Sequence, residues 1–119
     1  MAEILVLDDV SDAGMLVKRI LERKGHSVAV FTEEEEALRH AAANPVDLAI
    51  LDIKLKKMTG VDVLEELKKL NPEMKAIMLT GYPTLETARE ALRLGAQEYC
   101  VKPINKEELE TKVAEVIGE

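Results

Sequence analysis

The sequence predicts an α/β fold: a single doubly wound sheet of five parallel strands with helices on both faces. Two observations carry this. Apolar runs alternate with amphipathic ones from end to end, giving about five strand–helix units, and runs such as Ile4 to Leu7 are continuous, as strands buried on both faces require. Right-handed crossovers between such units build an open parallel sheet covered on both sides. The 119 residues suffice for one domain, expected to span residues 1–119.

The first run, Ile4-Leu5-Val6-Leu7, ends in Asp8-Asp9. A helix from about Asp12 to Lys24 follows, with Met15, Leu16 and Ile20 on its apolar stripe, Ala13 at the margin, and Gly25 as its stop. Val28 to Phe31 is the second strand; Thr32 and Glu35 have capping-box spacing and open a helix that ends near Asn44-Pro45. Leu48 to Leu51 is the third strand and again ends in an aspartate, Asp52. A lysine-rich loop leads through Gly60 to a helix carrying Val63, Leu64, Leu67 and Leu70, closed by Asn71-Pro72. Ala76 to Leu79 is the fourth strand, ending in Thr80-Gly81. Leu85, Ala88, Ala91 and Leu92 line the next helix, which Gly95 caps. Glu98 to Val101 is the fifth strand, ending in Lys102-Pro103, and Asn105 with Glu108 opens a last helix bearing Leu109, Val113, Val116 and Ile117.

Composition narrows the function classes. Hydrophobic residues make up 47% and charged residues 33%, a globular balance. The net charge of −7 argues against direct nucleic-acid binding. No apolar run approaches a membrane span, and Met1-Ala2-Glu3 lacks the basic start of a signal peptide. Cys100 is the only cysteine and is expected to be a buried thiol; a reducing cytoplasm fits it. His26 and His40 have no second ligand nearby, and Glu33 to Glu36 reads as a solvated acidic first turn.

Ligands of open parallel sheets bind beyond the carboxyl ends of the strands. Those ends carry Asp8-Asp9, Asp52, Thr80 and Lys102. At an effective dielectric near 20, two like charges at about 4 Å repel by about 4 kcal/mol, so three clustered carboxylates call for a cation. Hard oxygen donors suit Mg²⁺.

Asp8-Asp9, the Asp52-Ile53-Lys54-Leu55 segment, Gly60, Thr80-Gly81, Gly95-Ala96 and Tyr99-Cys100-Val101-Lys102-Pro103 resemble the receiver domains of bacterial two-component signalling, from about Ile4 to Ile117. The resemblance implies a flavodoxin-like strand order 2-1-3-4-5. It implies that Asp52 is the phosphoacceptor and that Mg²⁺ (or Mn²⁺) is held by Asp9, Asp52 and the backbone carbonyl of Lys54, with Asp8 acting through a coordinated water. Lys102 and Thr80 would bind the phosphoryl group. Thr80 and Tyr99 would form the switch, Tyr99 turning in from solvent, and the Lys102-Pro103 bond would be cis. Lys54 and Tyr82 would tune dephosphorylation. The stretch from Thr80 to Lys102 resembles the nitrogen-regulator group in particular.

The implied partners are a sensor histidine kinase or phosphotransfer protein, an output domain or effector, and a second copy through the last two helices and fifth strand. The chain would be either a stand-alone regulator or an excised N-terminal part. It departs from the family's frequent proline four residues after the phosphoacceptor: Lys56 stands there, which predicts a freer loop. A phosphohydrolase would need a general acid and a cap over its substrate, and neither is evident. A flavin carrier would need aromatics, which are 3% of the chain. The chain is therefore expected to be no enzyme beyond catalysing its own phosphorylation and dephosphorylation.

Overall fold

All five apolar runs become strands. In the computed structural model, which describes residues 1–119, they are β1 (Glu3–Leu7), β2 (Ser27–Phe31), β3 (Leu48–Leu51), β4 (Lys75–Thr80) and β5 (Glu98–Val101). The intervening stretches and the tail form α1 (Ser11–Glu22), α2 (Glu34–Ala43), α3 (Gly60–Leu70), α4 (Leu85–Arg93) and α5 (Lys106–Ile117). Every pairing is parallel, and the order is β2-β1-β3-β4-β5.

Side chains alternate across this sheet, so it divides the apolar interior into two cores. Leu5, Leu7, Ala49, Leu51, Ala76 and Met78 pack with residues of α2, α3 and α4. Ile4, Val6, Leu48, Ile50, Ile77 and Leu79 pack with Leu21 of α1 and with Leu109 and Val113 of α5. Cys100 lies in this second core, where burial first, then the charge of Glu98, pushes its thiol pKa up. No helix is long and apolar enough to cross a membrane.

Three expectations about α1 and α2 need correction. On α1 the inward positions are Gly14 and Leu21, with Val17 and Ile20 partly buried, while Met15 and Leu16 are exposed. The helix approaches the sheet through a residue without a side chain: a Cβ on Gly14 would lie 2.6 Å from Val30 Cγ1. On α2 the Thr32–Glu35 box does not form; the helix starts from Glu33, with no side-chain cap. Nor is its acidic first turn uniformly solvated, because Glu34 is only 1% exposed.

Other ends follow their local chemistry. Thr59 and Asp62 cap α3 reciprocally, Thr84 accepts from the Thr87 amide at α4, and Asn105 accepts from the Glu108 amide at α5. Gly25 and Gly95 leave their helices at φ +91° and +94°, a region side chains rarely enter. His26 is buried and accepts the Ala2 amide at Nδ1, 3.0 Å away, while His40 stacks obliquely on Phe31 with ring centroids 5.1 Å apart.

Candidate functional site

Register places the site. Leu7 of β1 pairs with Leu51 of β3, so the next residues, Asp8 and Asp52, leave the sheet side by side. The Asp8 amide donates to Phe31 O and the Asp52 amide to Leu7 O, at 3.1 and 3.0 Å, which fixes both backbones. One carboxylate oxygen from each of Asp8, Asp9 and Asp52 lies within 4.8 Å of the others. Asp8 and Asp52 are about 6% exposed; Asp9 is partly exposed.

A single ammonium answers this cluster. Thr80 O accepts the Lys102 amide at 2.8 Å, carrying β5's end beside β4's, and the Lys102–Pro103 bond is cis, as expected. The Lys102 Nζ donates to Asp8 Oδ2 at 2.6 Å and to Asp52 Oδ2 at 3.1 Å. Burial works against this charge, but the two carboxylates outweigh it and hold the Lys102 pKa above the ordinary lysine value. The remaining oxygens of the pair take amides, Asp8 Oδ1 from Val10 and Asp52 Oδ1 from Ile53. Asp9 has no cation partner. Three carboxylates against one ammonium leave uncompensated negative charge, and hard oxygen donors grouped this closely fit a divalent cation.

The rim comes from neighbouring loops. Gly60, the first residue of α3, sits against the back of Asp52: its amide donates to Ile53 O, and a Cβ there would lie 1.9 Å from Asp52 O. Lys54 bridges to Thr59 across the loop, and its Nζ lies 4.4 Å from the centre of the exposed Tyr82 ring. That cation–π contact joins the loops after β3 and β4. Thr80 is fully buried and its Oγ accepts the Tyr82 amide at 3.0 Å, leaving the hydroxyl hydrogen to donate elsewhere.

Tyr99 is not turned out to solvent. It is partly buried against the core under α3 and α4, and its hydroxyl lies 2.7 Å from Thr87 Oγ. Sequence reasoning missed Thr87, and also Glu34, whose Oε2 accepts the amides of Lys57 and Met58 at 2.5 and 2.8 Å. Burial pushes the Glu34 carboxyl up, but the amides of Lys57, Glu34 itself and Met58, with the Lys57 charge, outweigh that and hold it below its usual value. The loop beyond Asp52 therefore lacks a proline yet is tied down. An apolar groove of about 410 Å³ runs between α1 and the segment after β5, lined by Leu16, Val17, Ile20, Pro103 and Ile104, with Lys102 at its edge.

Known proteins share this fold. The family model described as response regulator receiver domain matches residues 4–114. The transcriptional regulatory protein ZraR of Escherichia coli K12 is 31% identical over 116 residues, 98% of this chain and 26% of that protein. The nitrogen assimilation regulatory protein NtrX of Azorhizobium caulinodans is 35% identical over 109 residues, 90% of this chain and 24% of that protein. The chain thus spans about a quarter of the length of these curated relatives. Among solved structures, a CheY-like response regulator receiver domain protein from Methanospirillum hungatei superposes with a TM-score of 0.96 at 37% identity, covering 99% of this chain and 94% of that one. A Burkholderia pseudomallei response regulator, solved with a phosphorylated aspartic acid, calcium ion and citrate, gives 0.88 at 31% identity, over 98% of this chain and 66% of that one.

Proposed function

Because this chain belongs to the response regulator receiver domains, we propose that residues 1–119 act as one phosphorylation-dependent switch whose phosphoacceptor is Asp52. The observation that carries this is the meeting of Asp8, Asp9 and Asp52 within 4.8 Å, with Lys102 bridging Asp8 and Asp52. Asp9, Asp52 and the Lys54 carbonyl would hold Mg²⁺, with Asp8 acting through water. Once bound, the ion supplies positive charge against the phosphoryl oxygens during transfer. The Asp52 carboxylate is the nucleophile, oriented by the Ile53 amide. Lys102, already between two carboxylates, can pass its hydrogen bonds to the incoming phosphoryl oxygens. Thr80 has a hydroxyl hydrogen to offer them, and its movement toward them would disturb the Tyr82 amide and the fifth strand beside it.

The donor would be a sensor histidine kinase or phosphotransfer protein in the cytoplasm, and the apolar groove beside Lys102 gives such a partner contact area next to Asp52. Exposed Leu85, Leu92 and Val101 offer surface for an output domain, an effector or a second copy. Catalysis would be confined to the chain's own Asp52. Incubation with acetyl phosphate and Mg²⁺, read by intact mass, tests this. One phosphoryl addition is expected in the parent, and none in Asp52→Asn or in excess chelator; equal labelling of the variant would overturn the assignment.

A further inference from the structure

We infer that Glu34 is a positioning residue for the metal site: from the first turn of α2 it braces the loop between β3 and α3, and so aims the backbone carbonyl of Lys54. The inference deepens the proposed function and rests on the reading of that carbonyl as a metal ligand.

The base of the loop is closed by its own backbone. Gly60 donates to Ile53 O at 2.8 Å, and Lys54 bridges to Thr59. The tip has no such internal closure. There the amides of Lys57 and Met58 both donate to one oxygen, Glu34 Oε2. Charge-assisted bonds of this kind are roughly twice as strong as neutral ones, and two adjacent amides on one carboxylate oxygen leave the tip little freedom to rock. The flanking ion pairs, Lys56 with Glu33 and Lys57 with Glu35, join much more exposed side chains and contribute little.

The other carboxylate oxygen sharpens the point. Glu34 Oε1 is buried and has no hydrogen-bond partner, the only such side-chain atom in the protein. An unsatisfied buried oxygen is a cost that a solvated glutamate at the same helix start would avoid. Lys56 also leaves the loop without the backbone restraint a proline would bring. A buried carboxylate reaching across from α2 supplies that restraint from outside the loop.

The test uses the intact chain and two readouts. Mg²⁺ alone is titrated calorimetrically into the parent, Glu34→Ala and Glu34→Gln, and amide exchange at Lys57 and Met58 is followed without metal. Glu34→Ala is expected to weaken Mg²⁺ binding about 3- to 10-fold, below the usual range for residues directly supporting a metal ligand because the effect passes through the loop. It should also speed exchange at those two amides at least about tenfold while the amides of β1 and β3 keep their protection. Glu34→Gln keeps one oxygen for both amides and should stay within about threefold of the parent. A purely structural role would lower stability without moving the affinity of the folded site. Unchanged exchange and affinity in Glu34→Ala would overturn the brace, and so would a Glu34→Gln variant that binds Mg²⁺ as weakly as Glu34→Ala while its Lys57 and Met58 amides keep their protection, which would assign the effect to lost charge. A parent that binds no Mg²⁺ would overturn the metal-site reading instead, while exchange still reads the brace.

Discussion

At the scale of single residues, the members of the acidic cluster are not equivalent. Asp8 and Asp52 share the Lys102 ammonium, whereas Asp9 adds negative charge without a cation partner. Substitutions in metal-free protein should therefore have opposite signs. Asp9→Asn relieves repulsion and is expected to stabilise by about 1–2 kcal/mol at low salt, while Lys102→Met strands two mostly buried carboxylates and should cost about 2–4 kcal/mol. Urea melts in chelator measure both; a stabilised Lys102→Met would mean that the ammonium is not what holds the carboxylates together. At the rim, the Tyr82 ring lies beneath the Lys54 ammonium, and we propose that this pair flanks the path of water to a phosphoryl group on Asp52. Tyr82→Ala is expected to speed phosphoryl-Asp52 decay about 3- to 10-fold, only about 0.7–1.4 kcal/mol of barrier. Decay at the parent's rate in both Tyr82→Ala and Lys54→Ala would place control of the lifetime elsewhere.

At the scale of elements, two glycines distinguish backbone contacts from side-chain contacts. A methyl at Gly60 would meet the Asp52 carbonyl, which cannot move without shifting the proposed phosphoacceptor, so Gly60→Ala should cost about 3 kcal/mol. At Gly14 the obstacle is a Val30 methyl that can shift, and alanine's better helix propensity offsets part of the strain, so Gly14→Ala should lie within about 1 kcal/mol of the parent. Comparable costs in urea melts would mean that α3 can retreat from Asp52 more easily than its contacts imply. The same contrast explains what was legible in the sequence. Continuous apolar runs specify strands buried on both faces, and the residues that follow them lie at the carboxyl edge of the sheet, so Asp8, Asp52, Thr80 and Lys102 could be named as candidates. The inward face of α1 could not, because counting apolar residues favours Met15 and Leu16 over the glycine on which the helix packs. Glu34 was equally hidden: its burial depends on amides in a loop 23 and 24 residues away, and helix periodicity carries no trace of them.

At the scale of the whole molecule, the metal site and folding are linked, because a cluster assembled from the ends of separate strands exists only in the folded chain. At a Mg²⁺ concentration of about 100 times its dissociation constant, the parent should gain about 2.7 kcal/mol, and Asp9→Asn distinctly less. The net charge of −7 should make the effect shrink as NaCl rises. Urea midpoints against Mg²⁺ decide this; equal shifts in parent and variant would mean the ion binds elsewhere. The strand order has a mechanical consequence as well. β3, which leads into Asp52, has a partner strand on either side, whereas β5, which carries Tyr99 and leads into Lys102, is a short edge with β4 alone beside it. With Asp52 as the proposed phosphoacceptor, the chemical event falls in the interior of the sheet, and the groups proposed to respond sit at one of its two edges. A strain introduced at Asp52 would have only β4 to cross before it reached the β5 edge, where a strand has one neighbour to hold it.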